Sequence, residues 1–186
     1  MPLRAPRIAG ALPAGLAVIA AVCLGAGGAA AQSLEYPVKA NYLVRFAAFV
    51  TWPPSAFRSP SAPITICVVG QDPFGRALDT AAAGQRVGEH PIVVRRMPRV
   101  GRDSGCHIAY LGRNAAQASS AVLTSLNAAP VLTVTDDAVS GDRGVIHFVL
   151  AGNRVRFHAD QRSAESGGMR VDARLLSLAL TVAARR

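Results

Sequence analysis

The segment Ile64-Thr-Ile-Cys-Val-Val69 is an unbroken run of β-branched and other apolar residues. A strand that is buried on both faces carries apolar side chains at every position, and such strands occur in parallel sheets covered by helices. Shorter runs follow at 92–94, 107–111 and 131–134. Helical segments follow the runs at 64–69 and 107–111. The order predicts an α/β fold: a single domain with a mixed, largely parallel sheet flanked by helices.

Capping residues mark the helices between these strands. Asp72 is well suited to cap a helix that has Pro73 as its first residue. This helix should end near Ala83, because the glycine that follows, Gly84, is the residue type that most readily adopts the left-handed conformation closing a helix. A second, Ala/Ser-rich helix is expected over 115–126.

Two further helices are expected from apolar residues at helical spacing. The first covers 38–51 and has apolar positions at Tyr42, Leu43, Phe46, Phe49 and Val50. We expect this face to lie in the core; the alternative is an exposed aromatic binding face. The second is a final helix capped by Asp172, with apolar positions at Leu175, Leu176, Ala179, Leu180 and Ala183.

The C-terminal third of the chain predicts a β-hairpin, because apolar residues alternate on both sides of a turn at Gly152-Asn153. A two-residue turn fixes which residues face each other. The expected pairs are Leu150 with Val155, Phe148 with Phe157, and His147 with His158.

The first 31 residues have the pattern of a secretory signal peptide. Arg4 and Arg7 precede an uncharged apolar stretch, which ends in the small residues Ala29-Ala30-Ala31. We expect cleavage after Ala31, leaving one domain over 32–186. The alternative is an uncleaved anchor, because about 20 apolar residues can span a bilayer. No later segment is long and apolar enough to do so.

The chain is basic, with 20 Lys+Arg against 11 Asp+Glu and a net charge of +9. Removal of the leader takes away two arginines, which leaves +7. An exported protein seldom meets nucleic acid, so acidic protein surfaces or anionic lipid headgroups are the expected partners of this charge.

After removal of the leader two cysteines remain, Cys67 and Cys106. An even pair in an oxidising compartment most simply forms a disulfide. It would close a loop of about 40 residues, to which the chain-entropy model assigns roughly 4 kcal/mol. The alternative is a nucleophile at Cys106 with His107 as its base, but adjacent residues on a strand point to opposite faces.

Other candidate chemistry lacks essential parts. His147 and His158 could supply two metal ligands, but a zinc site needs at least a third, so a solvated polar face is the alternative. The turn at Gly70 joins a strand to a helix, yet its glycine spacing fits neither common phosphate-binding motif. The sequence has no G-x-S-x-G elbow. We therefore expect a non-enzymatic protein without a cofactor.

Several segments, taken in order, resemble the YfiR family of periplasmic proteins and cover nearly all of the exported chain. They are Ala40-Asn-Tyr-Leu-Val-Arg-Phe46 with Thr51-Trp-Pro53, Ile66-Cys-Val-Val-Gly-Gln-Asp-Pro-Phe-Gly75, Gly105-Cys-His-Ile-Ala-Tyr-Leu111, Leu132-Thr-Val-Thr-Asp136, and Gly144-Val-Ile-His-Phe148 with Val155-Arg-Phe157 and Leu175-Leu176.

The resemblance implies a small α/β protein of the periplasm. The best-known type binds the periplasmic sensor part of an inner-membrane diguanylate cyclase and represses it, and it forms dimers. Cys67 and Cys106 fall where the family's more widely shared cysteine pair lies. The type protein has a second pair that this chain lacks, which argues against redox sensing here.

Two sites follow as hypotheses. The first is a partner-binding region from Arg154 to His158, formed by Arg154, Arg156, Phe157 and His158, because it joins charge and an aromatic ring on a hairpin; the alternative is an ordinary sheet face. The second is a small-molecule site near Gly70 and Gly112, at the carboxyl ends of the strands, where open α/β sheets bind ligands.

Overall fold

Ten strands and five α-helices follow one another in the computed structural model, which describes residues 26–184 and, within the first helix, side chains from Leu34 onward. In chain order they are α1 (Ala26–Phe49), β1 (Val50–Thr51), β2 (Ile64–Val69), α2 (Arg76–Ala82), β3 (Arg86–Val87), β4 (His90–Met97), β5 (Ile108–Leu111), α3 (Ser119–Ser125), β6 (Leu132–Asp136), β7 (Ile146–Ala151), β8 (Arg154–Asp160), α4 (Gln161–Ser166), β9 (Arg170–Val171), α5 (Ala173–Leu176) and β10 (Val182–Ala183).

Eight of these strands form one mixed sheet in the order β10-β8-β7-β6-β5-β2-β4-β3. The five strands from β4 to β7 in this order are parallel to one another. At the two sides β3 and β8 run antiparallel to β4 and β7, and β10 is parallel to β8. β1 and β9 pair separately. The expected α/β fold with a largely parallel sheet is confirmed.

The central strand β2 shows why both sheet faces are covered. All six of its residues are buried, and successive side chains point to opposite faces. Ile64, Ile66 and Val68 pack in the larger core cluster with α1 and α2. Cys67 and Val69 pack in a smaller cluster with α3 on the other face. The molecule therefore has three layers, with the sheet in the middle.

The hairpin has the predicted register. Leu150 lies opposite Val155, Phe148 opposite Phe157, and His147 opposite His158. Gly152 and Asn153 both have positive φ, as a tight two-residue turn of this kind requires.

The final helix is much shorter than predicted. Asp172 caps α5 as expected, but the helix ends at Leu176. Leu180 N then donates to Phe157 O at 2.8 Å, and Val182 pairs with Ala159. The open edge of β8 thus captures the segment as β10, and tertiary hydrogen bonds override its helical spacing.

Two other helices begin later than predicted because side chains hold the preceding residues in turns. Asp72 Oδ1 accepts from Phe74 N at 2.7 Å, so Pro73 lies in a turn and α2 begins at Arg76. Asn114 Oδ1 accepts from Ala116 N at 2.8 Å, and α3 begins at Ser119.

The first helix, in contrast, begins at Ala26 rather than at residue 38 and has Pro37 inside it. The predicted leader over 1–31 lies outside the described residues except for 26–31, so cleavage after Ala31 stays a prediction. No helix in the described part of the chain combines the length and the apolar character that a membrane crossing requires.

Candidate functional site

An open groove of about 810 Å³ lies between residues 34–42 of α1, the tip of the β7–β8 hairpin and the segment after α5. We call it the hairpin groove; its lining includes Leu34, Val38, Tyr42, Leu150, Arg154, Arg156 and Leu178. Leu34, Leu150 and Leu178 are 67%, 53% and 55% exposed. Large apolar side chains with this much exposure, gathered in one concave patch, are typical of an interaction site.

The groove continues along α1 into a second cavity of about 330 Å³. Val38, Tyr42 and Leu178 line both spaces, and Phe49 and Leu175 line the far part of the second. The apolar surface therefore follows more than two turns of the helix, a length suited to an extended or helical segment of another protein.

Arginines stand at the edge of this apolar surface. Arg154 is exposed and Arg156 is half-buried on β8, while Arg45 is exposed on α1. Within residues 34–184 none of these three guanidinium groups forms a salt bridge. Their charge is therefore available to acidic groups that enter from outside.

A buried ionic cluster stands behind the groove wall. Lys39 Nζ donates to Asp136 Oδ2 at 2.6 Å and also to Glu35, which lines the groove. Tyr110 donates its hydroxyl to the same Asp136 oxygen at 3.1 Å. Burial, followed by the charge of Asp136, raises the pKa of Tyr110, so the hydroxyl keeps its proton. The cluster joins α1 to the carboxyl ends of β5 and β6.

The four residues predicted to contact a partner do not lie together. Arg154 and Arg156 line the hairpin groove. Phe157 is 1% exposed and belongs to the core, where its ring lies 5.5 Å from that of Phe46. It cannot meet a partner, because alternation along β8 directs it towards α1. His158 lies outside the groove lining, and its Nδ1 is hydrogen-bonded to Thr181 Oγ1 at 2.7 Å.

His147 and His158 face each other with ring centroids 6.4 Å apart. His147 Nδ1 lies 2.8 Å from Thr135 Oγ1, and its Nε2 is 3.8 Å from Asp137 Oδ1. Burial lowers the pKa of His147, which favours the neutral ring. In the described part of the chain no three His, Cys, Asp or Glu residues are grouped so that they could hold a metal ion.

Cys67 and Cys106 form a disulfide, as the sequence predicts for an oxidising compartment. The bond joins β2 to the residues just before β5, and both cysteines are buried. Neither sulfur is a free thiol, so the alternative of a nucleophile at Cys106 does not hold in this state.

The comparison with family models matches residues 36–180 to a family described as YfiR/HmsC-like. The chain belongs to this YfiR/HmsC-like family. The match spans most of the chain, from the buried part of α1 to the segment before β10, and it confirms the resemblance found in the sequence. A search of curated proteins finds no match. The family assignment therefore indicates the class of function, whereas the position of the functional site has to be inferred from the structure of this chain.

Sequence reasoning did not identify the apolar part of the hairpin groove or the cluster behind it. One signal for the cluster was present. Lys39 is the single lysine of the chain and stands four residues after Glu35, a spacing that lets the two side chains meet on a helix. Leu178 gave no such signal, because the helical spacing of its segment predicted a different conformation.

Proposed function

We propose that this protein is a periplasmic, non-enzymatic regulator that binds the periplasmic sensor domain of an inner-membrane diguanylate cyclase and represses it. The family assignment supports the class of function. The observation that carries the proposal is the hairpin groove, in which exposed leucines lie beside arginines that form no salt bridge among the described residues.

The groove fits a segment of the sensor domain that has apolar side chains on one face and acidic residues beside them. Leu34, Leu150 and Leu178 would bury the apolar face, which is the main favourable contribution to such a contact. Arg154 and Arg156 would pair with the acidic residues, which adds specificity and accelerates association.

Repression requires a difference in affinity between two states of the cyclase. A regulator that binds the inactive state more tightly than the active state shifts the population towards the inactive one, and equal affinities would shift nothing. We expect the groove to contact the sensor domain in a conformation that is lost when the cyclase is active.

Export and assembly are part of the same proposal. Cleavage of the leader after Ala31 would release the protein into the periplasm, with Gln32 as its first residue. Homodimer formation is expected from the family resemblance. N-terminal sequencing and light scattering on the exported protein test these two points.

The decisive experiment compares cyclic di-GMP in cells that lack the protein and in cells that carry groove variants. Deletion should raise the nucleotide, and Leu178→Asp or Leu150→Asp should reproduce that rise while the folded protein accumulates normally. Both residues are more than half exposed, so the substitutions leave the core intact.

Val93→Asp is the matched control, because Val93 is 37% exposed on β4, away from the groove. This variant should repress like the original protein. Unchanged cyclic di-GMP after deletion would contradict the proposed function, and full repression by Leu178→Asp would contradict the proposed surface.

A further inference from the structure

A second concave site lies on another part of the molecule, at the carboxyl ends of β2, β4 and β5. It is a shallow depression, open to solvent, with a volume of about 610 Å³. Its lining consists of Gly70 and Gln71 after β2, Arg96, Met97 and Pro98 at the end of β4, and Arg113, Asn114 and Ala115 after β5.

The topology of the sheet makes this position special. From β2 the chain passes through α2 to β4 on one side, whereas from β5 it passes through α3 to β6 on the other side. α2 packs in the larger core cluster and α3 in the smaller cluster on the opposite face of the sheet. The two loops therefore diverge at a topological switch point, where open α/β sheets form the crevice that holds a ligand.

Two glycines allow these loops to approach each other closely. A Cβ atom at Gly112 would lie 2.2 Å from Gln71 O, and one at Gly70 would lie 2.6 Å from Asn114 Cβ. Gln71 N donates to Arg113 O at 2.9 Å across the gap. The loops thus form a continuous wall, which the end of β4 extends.

Most polar groups around the cavity already have strong partners. Arg96 donates to Asp72 at 2.7 Å and to both oxygens of Asp79 at 2.9 Å, so its guanidinium group is already engaged by these two carboxylates. Asn114 Nδ2 donates to Pro98 O at 2.7 Å. They hold the walls in place and are not available to a ligand.

Arg113 is different. Its side chain is exposed, and among the described residues its guanidinium forms no salt bridge. Arg99 adds positive charge at the rim, where its Nε donates to Ala116 O at 3.4 Å. A guanidinium binds carboxylate and phosphate groups through two parallel hydrogen bonds.

We infer that this switch-point cavity binds a small molecule that has one carboxylate or phosphate group and a short apolar body. Arg113 holds the anionic group, and Met97 and Pro98 contact the body. The site is separate from the hairpin groove and does not depend on the function proposed for it.

The test is a titration of the purified protein with three probes of similar size, followed by the amide chemical shifts in NMR spectra. Benzoate and phenyl phosphate carry the two candidate anionic groups, and benzyl alcohol carries none. At least one of the two anions should give saturable shifts at Gly70, Gln71 and Asn114, and the better anion identifies the preferred group.

Arg113→Gln should weaken that binding by about tenfold or more, because the charged donor fork is lost. Arg58→Gln is the matched control: Arg58 is exposed and precedes β2, at the opposite end of the strand, so this variant should bind normally. Absence of saturable shifts with both anions, equal binding of benzyl alcohol, or unchanged affinity in Arg113→Gln would overturn the inference.

Discussion

The ring of His107 lies in a site that favours its neutral form. It stacks on Phe57 with ring centroids 4.6 Å apart and meets Trp52 edge-on at 5.7 Å. Its Nδ1 accepts a hydrogen bond from Thr65 N at 3.2 Å, which requires an unprotonated nitrogen. Burial is the main reason that the pKa of His107 is lowered.

We predict that the free energy of unfolding falls as the pH decreases below about 6.5, the ordinary pKa of histidine. Below that pH, His107 and His147 bind protons more readily in the unfolded chain than in the folded protein, because their pKa values are lowered by folding. A lower pH therefore favours unfolding. Urea unfolding at pH 7.5 and 5.0 measures the effect. His107→Gln should reduce the difference between the two pH values, whereas an unchanged difference would contradict the assignment.

Single residues also show where sequence reasoning stops. Charge and an aromatic ring on one hairpin suggested that Phe157 contacts a partner, but its alternation with Arg156 directs it into the core. Alternation and the predicted register could have shown this. The meeting of Lys39 with Asp136, 97 residues away, could not have been predicted, because it depends on how α1 lies across the sheet.

At the scale of elements, the position of α1 depends on two kinds of contact. Its apolar residues pack on the sheet, with the ring of Phe46 5.8 Å from that of Phe148. Its charged residues Glu35 and Lys39 stand on either side of Pro37, which interrupts the backbone hydrogen bonds of the helix. The ionic cluster with Asp136 therefore fixes the helix at its weakest point and shapes the groove wall.

We predict that Lys39→Met destabilises the fold by about 3–5 kcal/mol, because it leaves two buried carboxylates without their cation. Urea unfolding monitored by circular dichroism measures the loss. Arg45→Met on the exposed side of the same helix is the control and should change stability by less than about 0.5 kcal/mol. A loss for Lys39→Met as small as that of the control would show that the cluster does not hold α1.

Some secondary-structure elements could be predicted from their local sequence and others could not. The β7–β8 hairpin was predicted in full, because its turn and its alternation are local properties of the chain. The prediction of the last helix was wrong beyond Leu176, because the residues that follow form β10 on the unpaired edge of β8. The spacing of apolar residues within one segment does not show whether a strand elsewhere in the chain has an unpaired edge.

For the whole molecule, the Cys67–Cys106 bond links β2 to the residues just before β5, the strand next to it in the sheet. The cysteines are 39 residues apart in the chain, and the loop between them contains α2, β3 and β4. A cross-link of this size removes many conformations from the unfolded chain. It thereby stabilises the part of the molecule that carries the switch-point cavity.

We predict that the double variant Cys67→Ala/Cys106→Ala loses roughly 4 kcal/mol of stability and keeps the same fold. The unfolding midpoint in urea measures the loss, and the circular dichroism spectrum in buffer checks the fold. The unmodified protein should resist reduction without denaturant, because Cys67 is fully buried. Equal midpoints for the two proteins would mean that the bond does not contribute to stability.

The overall architecture was predictable because it follows from apolar runs and their order, and the approximate position of the switch-point cavity near Gly70 follows from that order too. The hairpin groove was not predictable in the same way. It is formed by Leu34, Leu150 and Leu178, which come from three distant parts of the chain. Such a surface exists only once α1, the hairpin and the C-terminal segment are assembled.

The burial of Lys39 also makes the molecule easy to follow by covalent labelling. It is the one lysine in the chain, and its side chain is 1% exposed. On the folded protein, an amine-reactive reagent therefore has a single accessible target, the terminal α-amino group. A second label, counted by mass spectrometry, would mark those molecules in which the first helix has lifted away from the sheet.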